Sequence, residues 1–172
     1  RLLSGEDHME QYGLEINRFL EEVFRDILKT EELHATHSFD NLSLRELHLI
    51  EAVCGAVDHQ RDNRSSAIAA AQRVTAGTLT TVVNQLEKKG YLIRRRDSQD
   101  KRSVRLYPTE LGRAATREHR TFHQEMVEAV MGVLSPEEAR VFTRGLAAIA
   151  SFFRAKYLGG GEPGPDHSVT NA

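Results

Sequence analysis

From Ser65 to Gly90 the chain reads SSAIAAAQRVTAGTLTTVVNQLEKKG, and this stretch constrains the fold most. Ser65 through Arg73 is Ala-rich and opens on a Ser suited to cap a short helix. Thr75 can cap a second helix, in which Leu79, Val82 or Val83, and Leu86 recur as a buried stripe. Gly90 fits the position just past its end. Two short helices joined by a tight turn near Arg73–Val74 read as a helix-turn-helix. The runs Tyr91–Arg96 and Ser103–Tyr107 are rich in β-branched and aromatic residues and bracket a polar turn, which predicts a hairpin. Pro108-Thr109 ends it, with Pro108 expected to stop the strand early, and Thr109 caps a long helix to about Leu134.

The flanks are helical. Leu14, Phe19, Leu20, Val23, Phe24, Ile27, Leu28 and Leu33 recur at helical spacing over residues 12–35. Ser43-Leu-Arg-Glu46 is a capping box for a helix through about Val57 that buries Leu47, Ile50 and Val53 or Cys54. Ser135-Pro-Glu-Glu138 starts a last helix whose Val141, Phe142, Leu146, Ile149, Phe152 and Phe153 form a buried or partner-facing stripe. The polar, Gly- and Pro-rich residues 159–172 predict a flexible tail. The expected architecture is mainly α with a small β-hairpin wing. It divides into an N-terminal helix (1–38), a winged helix-turn-helix (39–112), C-terminal helices (113–158) and the tail.

Charge points to a partner. Between Lys88 and Arg105 eight Lys or Arg face two Asp, a local net of +6, although the chain as a whole is at −2. Between Glu6 and Glu51 twelve acids face four bases, a net of −8. A basic lobe on an otherwise acidic chain suits a polyanion. The exposed side of the second short helix carries Thr75, Thr78, Thr80, Thr81, Asn84 and Gln85, with Ala76 and Gly77 allowing close approach. Such a face can meet base edges in a major groove while Arg94, Arg96, Lys101 and Arg102 neutralise adjacent phosphates. The competing reading is a helical dimer that binds a protein through the hairpin.

Other classes find little support. No His-Glu-x-x-His, Gly-rich phosphate loop or Gly-x-Ser-x-Gly elbow is present, so no enzyme is expected. No apolar run approaches a membrane span, and the N-terminus lacks the layout of a secretory signal. The single cysteine, Cys54, fits a reducing compartment, and a cytoplasmic protein is expected.

Residues Val74 to Leu92 resemble the recognition helix of MarR-family winged-helix repressors. Asp100-Lys-Arg102 followed by Thr109-Glu-Leu-Gly112 matches that family's wing motif. The resemblance covers about residues 12–157. It implies that Arg102 at the wing tip enters the minor groove, supported by Asp100, while Thr75, Thr78, Thr80, Thr81 and Asn84 face the major groove. Ser65 and Ser66 would donate to phosphates. It also implies a homodimer whose terminal helices interlock, with Phe19, Phe24, Phe142, Phe152 and Phe153 supplying apolar surface.

The histidines leave the effector open. His119 and His123 lie one turn apart, a spacing that can share a metal. The resemblance to the zinc-sensing members implies a site of Glu32, His48, His119 and His123. Their second site is not matched, since Ser38 and Leu47 stand there. The stretches Leu42–Glu51, Phe122–Met126 and Ser135–Ala139 resemble instead the fatty-acid-synthesis repressors, which respond to an acyl carrier. Three alternatives therefore stand: zinc, an acyl-type or small-molecule effector, or histidines that only pack. His8, His34, His37, His59 and His167 read as surface residues, and Cys54 as a structural thiol.

Overall fold

A computed structural model describes residues 5–39 and 41–157. The expected tail (159–172), and with it His167, lies outside the described residues, as do the side chains of His8 and His37. The element order is α1 (Gly5–Ser38), α2 (Leu44–Asp58), α3 (Ser65–Ala71), α4 (Ala76–Lys88), β1 (Leu92–Arg96), β2 (Val104–Pro108), α5 (Glu110–Met131) and α6 (Pro136–Tyr157). Two compact units divide at Thr121/Phe122, inside α5.

The first unit is assembled by local caps. Ser43 accepts from the Glu46 amide (3.3 Å) and Glu46 accepts from the Ser43 amide (2.9 Å), closing the expected box at the start of α2. Thr75 accepts from the Thr78 amide at 3.1 Å and starts α4. Gly90 follows α4 at φ +83, a conformation that glycine takes without strain. Arg73, in the turn between α3 and α4, also takes a left-handed φ of 53. One cap differs from expectation: Arg64 precedes α3 without a side-chain cap, because the Ser65 hydroxyl donates to the Val104 carbonyl at 3.2 Å.

Leu47, Ile50, Val53 and Cys54 from α2, Val83 and Leu86 from α4, Leu92 from β1 and Leu106 from β2 are fully buried together. Each large aliphatic side chain so enclosed contributes about 1.5–3 kcal/mol. Both alternatives on α2 are therefore buried, and on α4 Val83 is inside while Val82 packs at the margin. On α1 the expected stripe divides among the described residues, with Leu20, Val23 and Ile27 half-buried. Phe19, Phe24, Leu28 and Leu33 are exposed, and Glu31 and Ala35 are the residues of α1 found buried.

The hairpin pairs β1 and β2 antiparallel, from Leu92↔Pro108 to Arg96↔Val104. Pro108 thus keeps its place in the register as the last residue of β2, where an absent N–H is tolerated. A third segment joins: Arg64 bridges Arg105, and Asn63 exchanges backbone and side-chain hydrogen bonds with Leu106. At the hairpin's exit Thr109 Oγ1 accepts from the Gly112 amide (3.1 Å) and donates to the Gly90 carbonyl (2.7 Å). Gly112 sits so close to the Tyr91 carbonyl that a β-carbon there would collide with it.

The second unit holds the C-terminal turns of α5 and helix α6. A Ser135–Glu138 capping box starts α6, with Ser135 accepting from the Glu138 amide at 3.3 Å. Val141, Phe142, Leu146, Phe152 and Phe153 are exposed along α6. No helix among the described residues is long and apolar enough to cross a membrane.

Candidate nucleic-acid interface

The wing turn is held by its acids. Asp97 accepts from the amides of Gln99 (2.8 Å) and Asp100 (3.2 Å) and from the Arg105 guanidinium. These bonds, the amides first, hold its carboxyl below the usual range. Asp100 accepts from the Ser103 hydroxyl (2.7 Å) and the Arg102 amide (3.0 Å), which lower its pKa too. Asp100 therefore fixes the backbone of Arg102 and leaves the guanidinium exposed. Arg96 and Lys101 are exposed on the same hairpin.

Between this wing and α4 lies a cleft of about 570 Å³. Arg64, Arg94 and Arg102 line it together with Ser65, Ser66, Thr80 and Ser103. The three arginines make the cleft basic, although Arg64 and Arg94 are paired with Asp62 and Glu87 and the Ser65, Thr80 and Ser103 hydroxyls donate within the protein. Of the residues expected to bind nucleic acid, Ser65, Ser66, Thr80, Arg94 and Arg102 meet here, while Arg96, Lys101 and the rest of the α4 face do not line the cleft. Arg64 was not expected. Its guanidinium pairs with Asp62, whose pKa falls to about 2 with Arg64 as the largest cause. The only signal in the sequence was its place one residue before Ser65.

On α4 the polar groups are partly committed to the protein itself. The Thr80 and Thr81 hydroxyls donate to the carbonyls of Ala76 (2.8 Å) and Gly77 (3.1 Å). The Thr75 and Thr78 hydroxyls lie 2.9 Å apart. A β-carbon on Gly77 would meet nothing closer than the Thr75 hydroxyl at 3.9 Å, so the surface there is open. Arg94 donates to Glu87 (2.7 Å), to Asn84 Oδ1 (2.6 Å) and to the Thr80 carbonyl (3.3 Å).

Away from this face, Glu31, His48 and His119 bring a potential ligand atom each to within 4.8 Å of one another. Glu31 and His119 are buried and His48 half-buried, with the His48 and His119 rings 5.6 Å apart. The acidic member of this group is Glu31; the side chain of Glu32 is exposed and lines a different cavity. Glu51 Oε2 lies 3.8 Å from His119 Nε2, and burial pushes the Glu51 carboxyl up to about 7, against the opposing charge of Arg120. His123, in the second unit, stands edge-on to Phe122 at 5.5 Å. Cys54 is buried beside the Thr116 hydroxyl at 3.4 Å, and burial pushes its thiol up. The cavity that includes Glu32 measures about 700 Å³ and is lined by Leu28, Lys29, Leu44, Arg45, His48 and Val74 among others.

Comparisons with known proteins bear on the family and the fold. The family model described as MarR family matches residues 57–104. The solved structure of Streptococcus pneumoniae FabT in complex with DNA is 36% identical with a TM-score of 0.75, covering 83% of this chain and 97% of that one. The MepR–DNA complex of S. aureus, at 20% identity and a TM-score of 0.60, covers 78% of this chain and 94% of its own; at that identity it supports the fold alone. YwhA of Bacillus subtilis, described as an uncharacterized HTH-type transcriptional regulator, is 31% identical over 71 residues. That match takes in 41% of this chain and about half (51%) of the length of YwhA.

Proposed function

The chain belongs to the MarR family of transcriptional regulators, and from that premise we propose that it is a homodimeric, effector-responsive repressor of double-stranded DNA targets. The observation that carries the reading is the cleft in which Arg64, Arg94 and Arg102 converge between the wing and α4. Helix α4 enters a major groove with Thr75, Thr78, Thr80, Thr81 and Asn84 toward base edges. The wing follows the backbone, and Arg102 reaches the minor groove, where negative potential favours a guanidinium. Ser66, which lines the cleft, offers its hydroxyl to a phosphate, while the Ser65 proton goes to the Val104 carbonyl. Two such surfaces related by a dyad read a pseudo-palindrome with half-sites about 10 bp apart. Its relatives are transcription regulators, which points away from catalysis.

The effector reading with the most support is a small or acyl-type molecule in the cavity lined by Leu28, Leu44 and Val74, with Lys29 and Arg45 at hand for an anionic group. The stretches that resemble the fatty-acid-synthesis repressors, together with the likeness to FabT, favour lipid-synthesis genes as targets. A second reading rests on Glu31, His48 and His119. One carboxylate and two imidazoles suit zinc, with the Glu51 carboxylate 3.8 Å from His119 Nε2. Bound there, zinc would tie α1, α2 and α5 together.

The test is DNA binding by the full chain against salt. Several phosphate contacts give log affinity falling with log salt at a slope of about −0.9 per contact. Affinity independent of salt, or no complex with any fragment from upstream of its own gene at low salt, overturns the regulator. Zinc calorimetry separates the effector readings. Heat that disappears in His119→Ala supports zinc, and no heat in the wild type removes it.

A further inference from the structure

Asn84 sits on the face of α4 offered to DNA, and its amide is not at liberty to point either way. Arg94 Nη1 donates to Asn84 Oδ1 at 2.6 Å. A guanidinium has no acceptor, so the oxygen of the amide must face Arg94 and the NH2 group must face away. Arg94 is itself fixed. Its guanidinium donates to Glu87 Oε2 at 2.7 Å and to the Thr80 carbonyl at 3.3 Å, and its backbone N–H donates to Glu87 Oε1 at 3.0 Å. The first strand of the wing thus grips three successive turns of α4.

From this geometry we propose that Arg94 is a positioning residue that makes Asn84 a one-way reader, donating to a base edge and accepting from none. The inference rests on the DNA-binding reading above. An unrestrained Asn pairs bidentately with adenine, accepting from N6 while donating to N7. Here the Oδ1 that would accept already receives the planar Arg94 guanidinium, which disfavours a second donor at that oxygen. The NH2 group is left to donate, and guanine offers it two acceptors, N7 and O6. Thr80 and Thr81 are polarised in the opposite sense. Their protons are committed to the helix backbone, so each hydroxyl keeps only lone pairs to offer and acts toward a base as an acceptor. The face therefore carries an ordered pattern of donor and acceptor in place of five interchangeable polar groups.

The probe is a randomised duplex library enriched on the full chain, followed by a panel of single-base variants of the enriched sequence. Asn84→Ala should flatten the preference at one position per half-site and so identify it. At that position the wild type should favour guanine over adenine by at least about fivefold. Arg94→Met should narrow that ratio to within about twofold, with the preferences at other positions retained. Arg94→Lys keeps the charge without the planar fork, so it should behave as Arg94→Met and also serves if the Met variant does not fold. Adenine preferred by the wild type at the Asn84 position overturns the proposal, as does an Asn84→Ala variant with no altered position. A uniform loss of affinity in Arg94→Met that Arg94→Lys restores makes Arg94 a phosphate contact and overturns it too. Enrichment of no sequence at all would defeat the DNA-binding reading itself, a result separable from each of these.

Discussion

At the scale of single residues, the same side chain often serves two neighbours at once. Glu46 closes the capping box on Ser43 and also receives Lys89, whose ammonium lies 2.7 Å from Oε1 and also donates to the Asn41 carbonyl. The Glu46 side chain is 7% exposed and that of Lys89 28%. Burial pushes the Glu46 carboxyl up, but Lys89 and the Ser43 bonds outweigh it, so the folded pKa lies below the usual 4.5. A carboxyl with a depressed pKa stabilises the fold fully above pH 4.5 and loses that contribution as pH falls through the folded value. Lys89→Met leaves the buried carboxylate without its cation and should cost about 1–3 kcal/mol at neutral pH. The gap to wild type should close in acid, as pH falls below the folded pKa and Glu46 takes up a proton. Urea unfolding at neutral and acid pH checks it, and a gap that persists in acid would mean lost packing instead. Arg102 makes the complementary case, since Asp100 holds its backbone and leaves its guanidinium exposed. Arg102→Ala should weaken operator binding by about 1–3 kcal/mol with the melting temperature unchanged, as read by fluorescence anisotropy beside a thermal scan.

At the scale of elements, the Thr109-Glu-Leu-Gly112 sequence shows how a motif becomes a joint. Thr109 caps α5 while donating back to the Gly90 carbonyl, and Gly112 lets the helix pass directly over Tyr91. Gly112→Ala should therefore lower stability by about 1–3 kcal/mol by forcing α5 away from β1, against the small gain expected of Ala within a helix. Denaturant midpoints decide the sign. Elements of this kind were legible in advance because their determinants are local. The caps at Ser43, Thr75, Thr109 and Ser135 bond three residues ahead, so spacing alone reveals them. The pairing of Asn63 and Arg64 with Leu106 and Arg105 was not legible, since more than forty residues separate the partners and no periodicity marks them. The acid beside His48 and His119 turns on one helical position. Glu31 and Glu32 differ by about 100° around α1, and only tertiary packing selects which faces inward. Arg94 likewise read as a free cation, because nothing local announces that Asn84 and Glu87 would claim it.

At the scale of the whole molecule, the largest unexplained feature is apolar surface. Phe19 and Phe24 on α1 are 51% and 49% exposed, and Phe152 and Phe153 on α6 are 52% and 44% exposed. Isolated apolar residues on a surface need no explanation, but series repeating along two long helices mark an interface. If a second copy covers them, each subunit's fold is stabilised by association, and the melting temperature rises with protein concentration. Phe24→Asp would place a carboxylate in that contact without a cation to meet it, which should drive the chain to a monomer in sedimentation equilibrium. DNA binding then supplies an independent readout. Joining two half-site readers makes the second contact intramolecular and raises operator affinity by about 10²–10⁴ over one alone. The variant should lose that factor on a full pseudo-palindrome while binding an isolated half-site as the wild type does. A Phe24→Asp chain that still sediments as a dimer would move the interface elsewhere. A monomer that bound the full operator with unchanged affinity would show that one recognition helix and one wing suffice.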